Sequence, residues 1–431
     1  MKDITQNMGE TLIERAGRPT FVFTIAARNY LSQVSVLFDS VRKQCGEIKF
    51  CCFVVDGYDA DTEIPEVLRN NVFDCRKLGI PGFEEMAFKY YVVEFATALK
   101  PYIFNYIFEL EEFDSAIYFD PDIKLYSNIK WIEEELRYKS ILVTPHLLDY
   151  QAYRKNYTGR KPVVDLMLYL YAGTYNLGFA AIKNDSYGQN FTDLWAEILR
   201  DQCIHDSTRA LCVDQKWADF LSSFFGERLG VIKDAGANVA YWNLHERNLS
   251  RDTELDYVVN GSKLKFVHFS GIDINDKDGI SAGARWKNIS LIDYPEYSEL
   301  FAAYKDELTK AGFQERRASM PYRYNYFENG LPINMLHRRI YAKLISEGEV
   351  LNPFSVSGKL YLILNSKNIL DQKLHSDSYG SRFISRLLYK LLESKFVFRL
   401  LYRLLGSKNY LAFLQTLRGI TNLDANIFLI R

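Results

Sequence analysis

Residues Thr20–Gly57 read TFVFTIAARNYLSQVSVLFDSVRKQCGEIKFCCFVVDG. The runs Thr20–Ala26 (TFVFTIA) and Lys49–Val55 (KFCCFVV) are rich in β-branched and aromatic residues and close on Ala-Ala-Arg-Asn and Asp-Gly, so both read as buried strands ending in loops. Between them, Tyr30–Lys43 places its apolar residues at helical spacing. Strand, helix, strand is a βαβ opening. It predicts an α/β fold with a mostly parallel, Rossmann-like sheet flanked by helices, and ligands gathered at the carboxyl ends of the strands.

Outward from this unit the alternation continues. Further strands are expected at Ser115–Phe119, Ser140–Thr144, Phe179–Ile182 and Lys265–Phe269, with helices around Tyr90–Tyr106, Trp131–Arg137 and Asn190–Arg200. A length of 431 residues suits one catalytic-size domain with a smaller appendage. With 48% hydrophobic residues, 15% aromatic residues and only 11 Pro, the chain is neither collagenous, mucin-like nor disordered. Composition shifts at the aromatic stretch Ser319–Gly330 (SMPYRYNYFENG). This sets the expected division: a catalytic domain over residues 1–330 and a basic, aromatic, mainly helical region over 331–431.

Charge supports that division. The whole chain carries 53 basic and 54 acidic residues, yet residues 331–431 hold 15 basic against 6 acidic. A basic tail on an acidic body points to an anionic surface, such as a membrane, as the tail's partner rather than to nucleic acid. Packing of Leu387, Leu388, Leu391, Phe398 and Leu401 onto protein is the competing role for the same residues. The six cysteines show no CxxC and no framework spacing, so reduced and mostly buried thiols are expected. No apolar stretch follows a basic one at the N-terminus, and no window of 18 residues is free of charge, so the sequence predicts a cytoplasmic protein, peripheral at a membrane face if attached at all.

The sharpest motif is Ala116-Ile117-Tyr118-Phe119-Asp120-Pro121-Asp122-Ile123, a buried strand ending directly in Asp-Pro-Asp. Two carboxylates one residue apart can converge on one hard cation if the chain turns, and the fixed φ of Pro121 restricts that turn. The same triplet is also ordinary turn chemistry. No nucleophile elbow, Walker loop or GxGxxG competes with it.

A strand running into DxD resembles the metal-dependent GT-A glycosyltransferases, and in particular the family of glycogenin and the bacterial lipopolysaccharide glucosyl- and galactosyltransferases. The resemblance runs from about Phe21 to Ile272 and consists of motifs in order. It implies that Thr24, Ala26, Arg28 and Tyr30, with Asp56 after the second strand, hold the nucleoside. Lys100, in Thr97-Ala98-Leu99-Lys100-Pro101, is the basic residue ahead of the DxD strand. Asn176, in Tyr175-Asn176-Leu177-Gly178, lines the sugar, and Asp214-Gln215 is the pair that follows. His268-Phe269-Ser270-Gly271 supplies a third metal ligand together with Ser270 and Gly271 at the donor. The family's Lys-Pro-Trp after the late glycine is absent, which leaves Lys277, Lys100 or no residue as the diphosphate lysine. Asp234–Arg247 (DAGANVAYWNLHER) has no counterpart in that family.

The resemblance therefore implies Asp120, Asp122 and His268 as ligands of Mn²⁺ or Mg²⁺, Asn176, Asp214 and Gln215 as catalytic residues, and a nucleotide sugar of the UDP class as donor. It implies transfer with retention to a glycan or lipid-linked acceptor in bacterial surface polysaccharide synthesis. Two Asp and a neutral imidazole are a sensible Mn²⁺ set, although a lone His ending a strand is commonly a core residue. His146, His245, Tyr241, Trp242 and Trp286 are weaker candidates for donor or acceptor contacts. Two other functions remain open: transfer to a soluble or protein acceptor, and an inactive GT-A-like glycan-binding or scaffold module.

Overall fold

The computed structural model describes residues 18–151, 166–253, 256–276, 280, 289–349, 352–370 and 404. The chain divides into two compact units, Met1–Ile80 with Ala96–Pro321, and Pro81–Phe95 with Tyr322–Arg431. This division lies a few residues before the compositional boundary at 330. Aromatic residues of the boundary stretch are core: Phe327 packs with Phe88, Ile333, Ile340, Tyr341, Leu360 and Leu364 in the second unit. The basic stretch beyond 370 lies outside the described residues apart from Leu404.

The described strands of the first unit are β1 (Thr20–Ala26), β2 (Lys49–Val54), β3 (Val72–Asp74), β4 (Ser115–Phe119), β5 (Ile123–Leu125), β6 (Ile141–Pro145), β7 (Tyr175–Lys183), β8 (His205–Asp206), β9 (Leu211–Cys212), β10 (Leu229–Val231), β11 (Val239–Ala240), β12 (Leu249–Asp252), β13 (Asp256–Val259), β14 (Ser262–Lys263) and β15 (Phe266–His268). Seven of them form one sheet in the order β10-β6-β7-β4-β1-β2-β3. Every neighbouring pair is parallel except those made by β7, which runs antiparallel to both β4 and β6. The fold is α/β, as the opening βαβ unit predicts.

The helix Leu31–Cys45 buries Leu31, Val34, Leu37, Phe38 and Val41 against Val22, Val54, Ile117 and Phe119 of the sheet. The single helix expected over Tyr90–Tyr106 is two, Val92–Ala98 and Lys100–Glu109. Pro101 sits in the first turn of the second, where a missing N–H breaks no helical bond. β7 is longer than the expected Phe179–Ile182, and the extra residues put Asn176 opposite Thr144 of β6 and Gly178 next to the end of β4. All six cysteines are free thiols and four of them are buried.

A second, three-stranded sheet in the order β11-β15-β5 positions the chemistry. β5 begins immediately after Asp-Pro-Asp, and its antiparallel pairing with β15 sets His268 opposite Ile123. On the other side β11 pairs parallel to β15 and sets Ala240 beside His268.

Candidate functional site

Three segments converge at the end of β4. The Asp120 amide donates to Gly178 O at 2.7 Å, Ile123 N donates to Asp120 O at 3.0 Å, and Phe269 N donates to Asp122 O at 2.9 Å. These backbone bonds tie the Asp-Pro-Asp turn to β7 and to the end of β15. As a result His268 Nε2 lies 3.1 Å from Asp122 Oδ1 and 3.5 Å from Asp120 Oδ2. One ligand atom from each of the three residues falls within 4.8 Å of the others.

The residues present fit a hard divalent cation. Neighbouring ligands around an octahedral Mg²⁺ with bonds of about 2.1 Å stand about 3 Å apart, close to the 3.1 Å and 3.5 Å that separate His268 Nε2 from the two carboxylates. Asp122 Oδ1 and His268 Nδ1 are buried with no hydrogen-bond partner. The nearest partner of Asp122 Oδ1 is His268 Nε2 at 3.1 Å, outside hydrogen-bond geometry, and a cation shared by the two would satisfy both. Gly178 completes the cradle: a Cβ there would meet His268 Cε1 at 2.5 Å and Asp120 Oδ2 at 2.7 Å. Burial pulls the His268 imidazole toward neutrality, but Asp122 and then Asp120 outweigh it, so its pKa stands above the usual histidine value.

Behind the carboxylates lies an ion pair. Lys100 Nζ donates to Asp214 Oδ2 at 2.9 Å and to Leu177 O at 2.8 Å, with both side chains buried. It also sits 4.6 Å from the centre of the Tyr118 ring, whose hydroxyl donates to Asp120 Oδ1 at 2.5 Å. Burial raises Asp214 to about 6 against the pull of Lys100. Lys100 is held above its ordinary value, because the Asp214 carboxylate outweighs burial. At neutral pH the pair is ionic.

Asn176 and Gln215 meet directly, Asn176 Nδ2 donating to Gln215 Oε1 at 2.9 Å. The Asn176 carbonyl accepts from Gly178 N at 3.2 Å and from Asn238 Nδ2 at 3.0 Å, so this buried amide is held by protein partners on both its oxygen and its nitrogen. Asn238 also donates to Thr144 Oγ1 at 2.8 Å, and Asn243 Nδ2 donates to Asn238 O at 3.0 Å. His146 joins through Nδ1 to Gly173 O at 2.8 Å, and Trp242 stands edge-on to both His146 and His268, at ring distances of 5.8 Å and 5.1 Å. Sequence reading singled out Asn176 and Gln215 but neither Thr144 nor Asn238. The unplaced segment Asp234–Arg247 was the available signal, since Asn238, Trp242 and Asn243 all come from it.

The residues expected at the nucleoside lie at the ends of β1 and β2. Arg28 N donates to Asp56 Oδ1 at 3.0 Å and Arg28 Nε to Asp56 Oδ2 at 3.2 Å, which commits both side chains to each other. Ala26 O accepts from Val55 N, and Thr24 Oγ1 is buried without a partner. Tyr30 and Gly271 line a cleft of about 770 Å³ that reaches Asp122. Ser270 is half-buried between His268 and Gly271, and Gly271 takes a left-handed backbone (φ 65°) that favours glycine. Lys277 and Trp286 lie outside the described residues.

No family model matches this chain. It is 26% identical over 182 residues to the uncharacterised protein YfnF of Bacillus subtilis strain 168, a match covering 42% of this chain and 57% of that one. The match thus spans little more than half the length of that relative. Among solved structures, the chain is similar to the galactosyltransferase LgtC in complex with donor and acceptor sugar analogues (16% identity, 67% of this chain and 96% of that one, TM-score 0.37). It is similar also to mouse xyloside xylosyltransferase 1 (14%, 58% and 98%, TM-score 0.35) and to the glycosyltransferase GlyE of Streptococcus pneumoniae TIGR4 (13%, 72% and 67%, TM-score 0.37). All three are named as glycosyltransferases, the class that the motif order resembles.

Proposed function

We propose that this chain is a metal-dependent glycosyltransferase of the GT-A type. Its donor is a nucleotide sugar of the UDP class, its acceptor a glycan or lipid-linked saccharide of bacterial surface polysaccharide synthesis, and its outcome retention. The observation that carries this reading is the convergence of Asp120, Asp122 and His268 from β4, β5 and β15 onto one point beside a cleft.

In this reading Asp120, Asp122 and His268 hold Mn²⁺ or Mg²⁺, which supplies neutralisation of the charge that builds on a departing diphosphate. Thr24, Ala26, Arg28, Tyr30 and Asp56 frame the nucleoside, with Ser270 and Gly271 closing the donor side. Asp214 and Gln215 stabilise positive charge developing at the sugar carbon. Lys100 fixes Asp214, and Asn176 fixes Gln215, because each already spends its hydrogen bonds on that partner. Residues 1–330 carry catalysis, and the basic region 331–431 either meets an anionic membrane surface from the cytoplasmic side or packs onto protein, as its buried Arg338 and Arg339 do through Phe88 O and Glu94. None of the described helices is long and apolar enough to cross a membrane.

The test is UDP release from a panel of UDP-sugars by the full chain, with Mn²⁺ or with EDTA, in the absence of acceptor. Slow release that requires the metal and disappears in Asp122→Asn is expected. Release from no sugar nucleotide under any metal would leave the glycan-binding or scaffold module as the better account.

A further inference from the structure

A diphosphate held at Asp122 is favoured by a positive group besides the cation, and Lys100 does not provide one. Lys100 is buried, and its ammonium is spent on Asp214, Leu177 O and the Tyr118 ring. Lys277 lies outside the described residues.

The cleft that reaches Asp122 has one wall from Tyr30 and Gln33, a second from Gly271 and Asn275, and a third from the helix Phe313–Ser319, which contributes Arg317. The guanidinium carbon of Arg317 stands 5.3 Å from the centre of the Tyr30 ring and 5.1 Å from that of Phe313. Among the described residues no carboxylate or carbonyl pairs with it. The two rings hold the guanidinium in place, while its N–H edges stay available, which is the arrangement in which arginine grips phosphate oxygens in a fork. Arg317, the Tyr30 ring and the Asp122 carboxylate all line this one cleft.

We infer that Arg317 is a donor-binding residue of this site: a nucleoside diphosphate that reaches a cation at Asp122 runs along the cleft past Tyr30 and sets phosphate oxygens on the Arg317 guanidinium. The inference rests on the nucleotide-sugar reading above and adds a ligand from an element, the helix Phe313–Ser319, to which no motif in the sequence pointed.

The experiment is calorimetric titration of the full chain, in MnCl₂, with UDP and separately with uridine. Arg317→Ala is expected to weaken UDP binding about ten-fold, the loss of one charge-assisted contact, and to leave uridine binding unchanged. Arg317→Lys, with charge but no fork, falls between wild type and Arg317→Ala, and serves as the variant of record if Arg317→Ala proves misfolded by thermal denaturation. UDP affinity equal to wild type in both variants overturns the inference and leaves the nucleotide-sugar reading standing. Equal losses for UDP and uridine also overturn it, since Arg317 would then act on the nucleoside or on packing. A wild-type chain that binds no UDP removes the donor reading, and this inference with it.

Discussion

The two polar regions at the end of β4 are built in opposite ways. In the carboxylate and histidine cluster, Asp122 Oδ1 and His268 Nδ1 are buried without a hydrogen bond, and Asp122 Oδ1 has only the His268 Nε2 edge facing it at 3.1 Å. Next to it, Lys100 is paired with Asp214 and Asn176 with Gln215 and Asn238, and Asn238 Oδ1 is the one atom of these side chains left buried without a hydrogen bond. Folding alone favours the second arrangement and penalises the first. Facing carboxylates and an imidazole with no hydrogen bonds among them suit a ligand, whereas a network of paired amides and an ion pair holds positions. The cluster should therefore fail in binding when altered, and the network should fail in stability.

The largest effect is expected in the cluster. Asp122→Ala should lower Mn²⁺ affinity at least 100-fold and donor turnover by about three orders of magnitude, read by spin-resonance titration of Mn²⁺ and by UDP release. Its melting temperature should change little, because the relief of repulsion with Asp120 offsets the loss of the Asp122–His268 contact. Undiminished Mn²⁺ binding in that variant would break the contrast at its first term.

The network should answer in stability instead. Lys100→Met leaves Asp214 buried and unpaired, at a cost of about 3–5 kcal/mol in urea denaturation. Asp214 also gives the network a pH dependence. Its pKa is raised in the fold to about 6, against an ordinary value of about 3.9. The folded state thus binds more protons between these values. The contribution of this group is full below about pH 4 and is lost as pH rises through about 6, by roughly 2–3 kcal/mol. Stability curves of wild type and Asp214→Asn should converge or diverge across that window and run parallel above it; parallel curves throughout would show that Asp214 does not titrate there.

How much of this could be read in the sequence follows from the same physics. Strands of β-branched and aromatic residues carry a period-two or continuous apolar signal, so β1, β2, β4 and β15 were legible, and so was an Asp-Pro-Asp leaving a strand. The convergence of His268 was legible only through motif order, because the pairing of β15 with β5 is a long-range contact with no local pattern. Asn238 left no signal of its own: it is a single left-handed residue in an irregular segment (φ 54°), and its partners Thr144 and Asn176 are 94 and 62 residues away. The commitment of Lys100 to Asp214 is likewise a fact of packing, as is the place of Phe327 in the second unit's core rather than in a linker.

Gly178 tests where the two regions touch. Its missing side chain is what lets His268 and Asp120 close up, since a Cβ would sit 2.5 Å and 2.7 Å from their atoms. Gly178→Ala should cost about 1–3 kcal/mol by overpacking and weaken Mn²⁺ about ten-fold, because the imidazole or the carboxylate must move. A variant with unchanged Mn²⁺ affinity would mean that the close approach at Gly178 is packing without consequence for the cluster.

The smallest effect is expected at Asn238, and it needs two substitutions to be read. The residue does two things at once: its backbone occupies the left-handed region, and its amide donates to Asn176 and Thr144. Asn238→Gly keeps the backbone without strain and deletes only the amide, so it should cost about 1 kcal/mol, the net worth of a buried hydrogen bond. Asn238→Ala adds the penalty of a Cβ in that conformation and should cost about 1–2 kcal/mol more. With one of the two donors to its oxygen gone and only Gly178 N left, Asn176 holds Gln215 less firmly, so turnover should fall a few-fold in both variants while Mn²⁺ affinity stays at the wild-type value. Because the two substitutions share the lost amide and differ in strain, turnover that follows stability from Gly to Ala would assign Asn238 to packing. Turnover equal in the two, at unequal stability, would assign it to the positioning of Asn176.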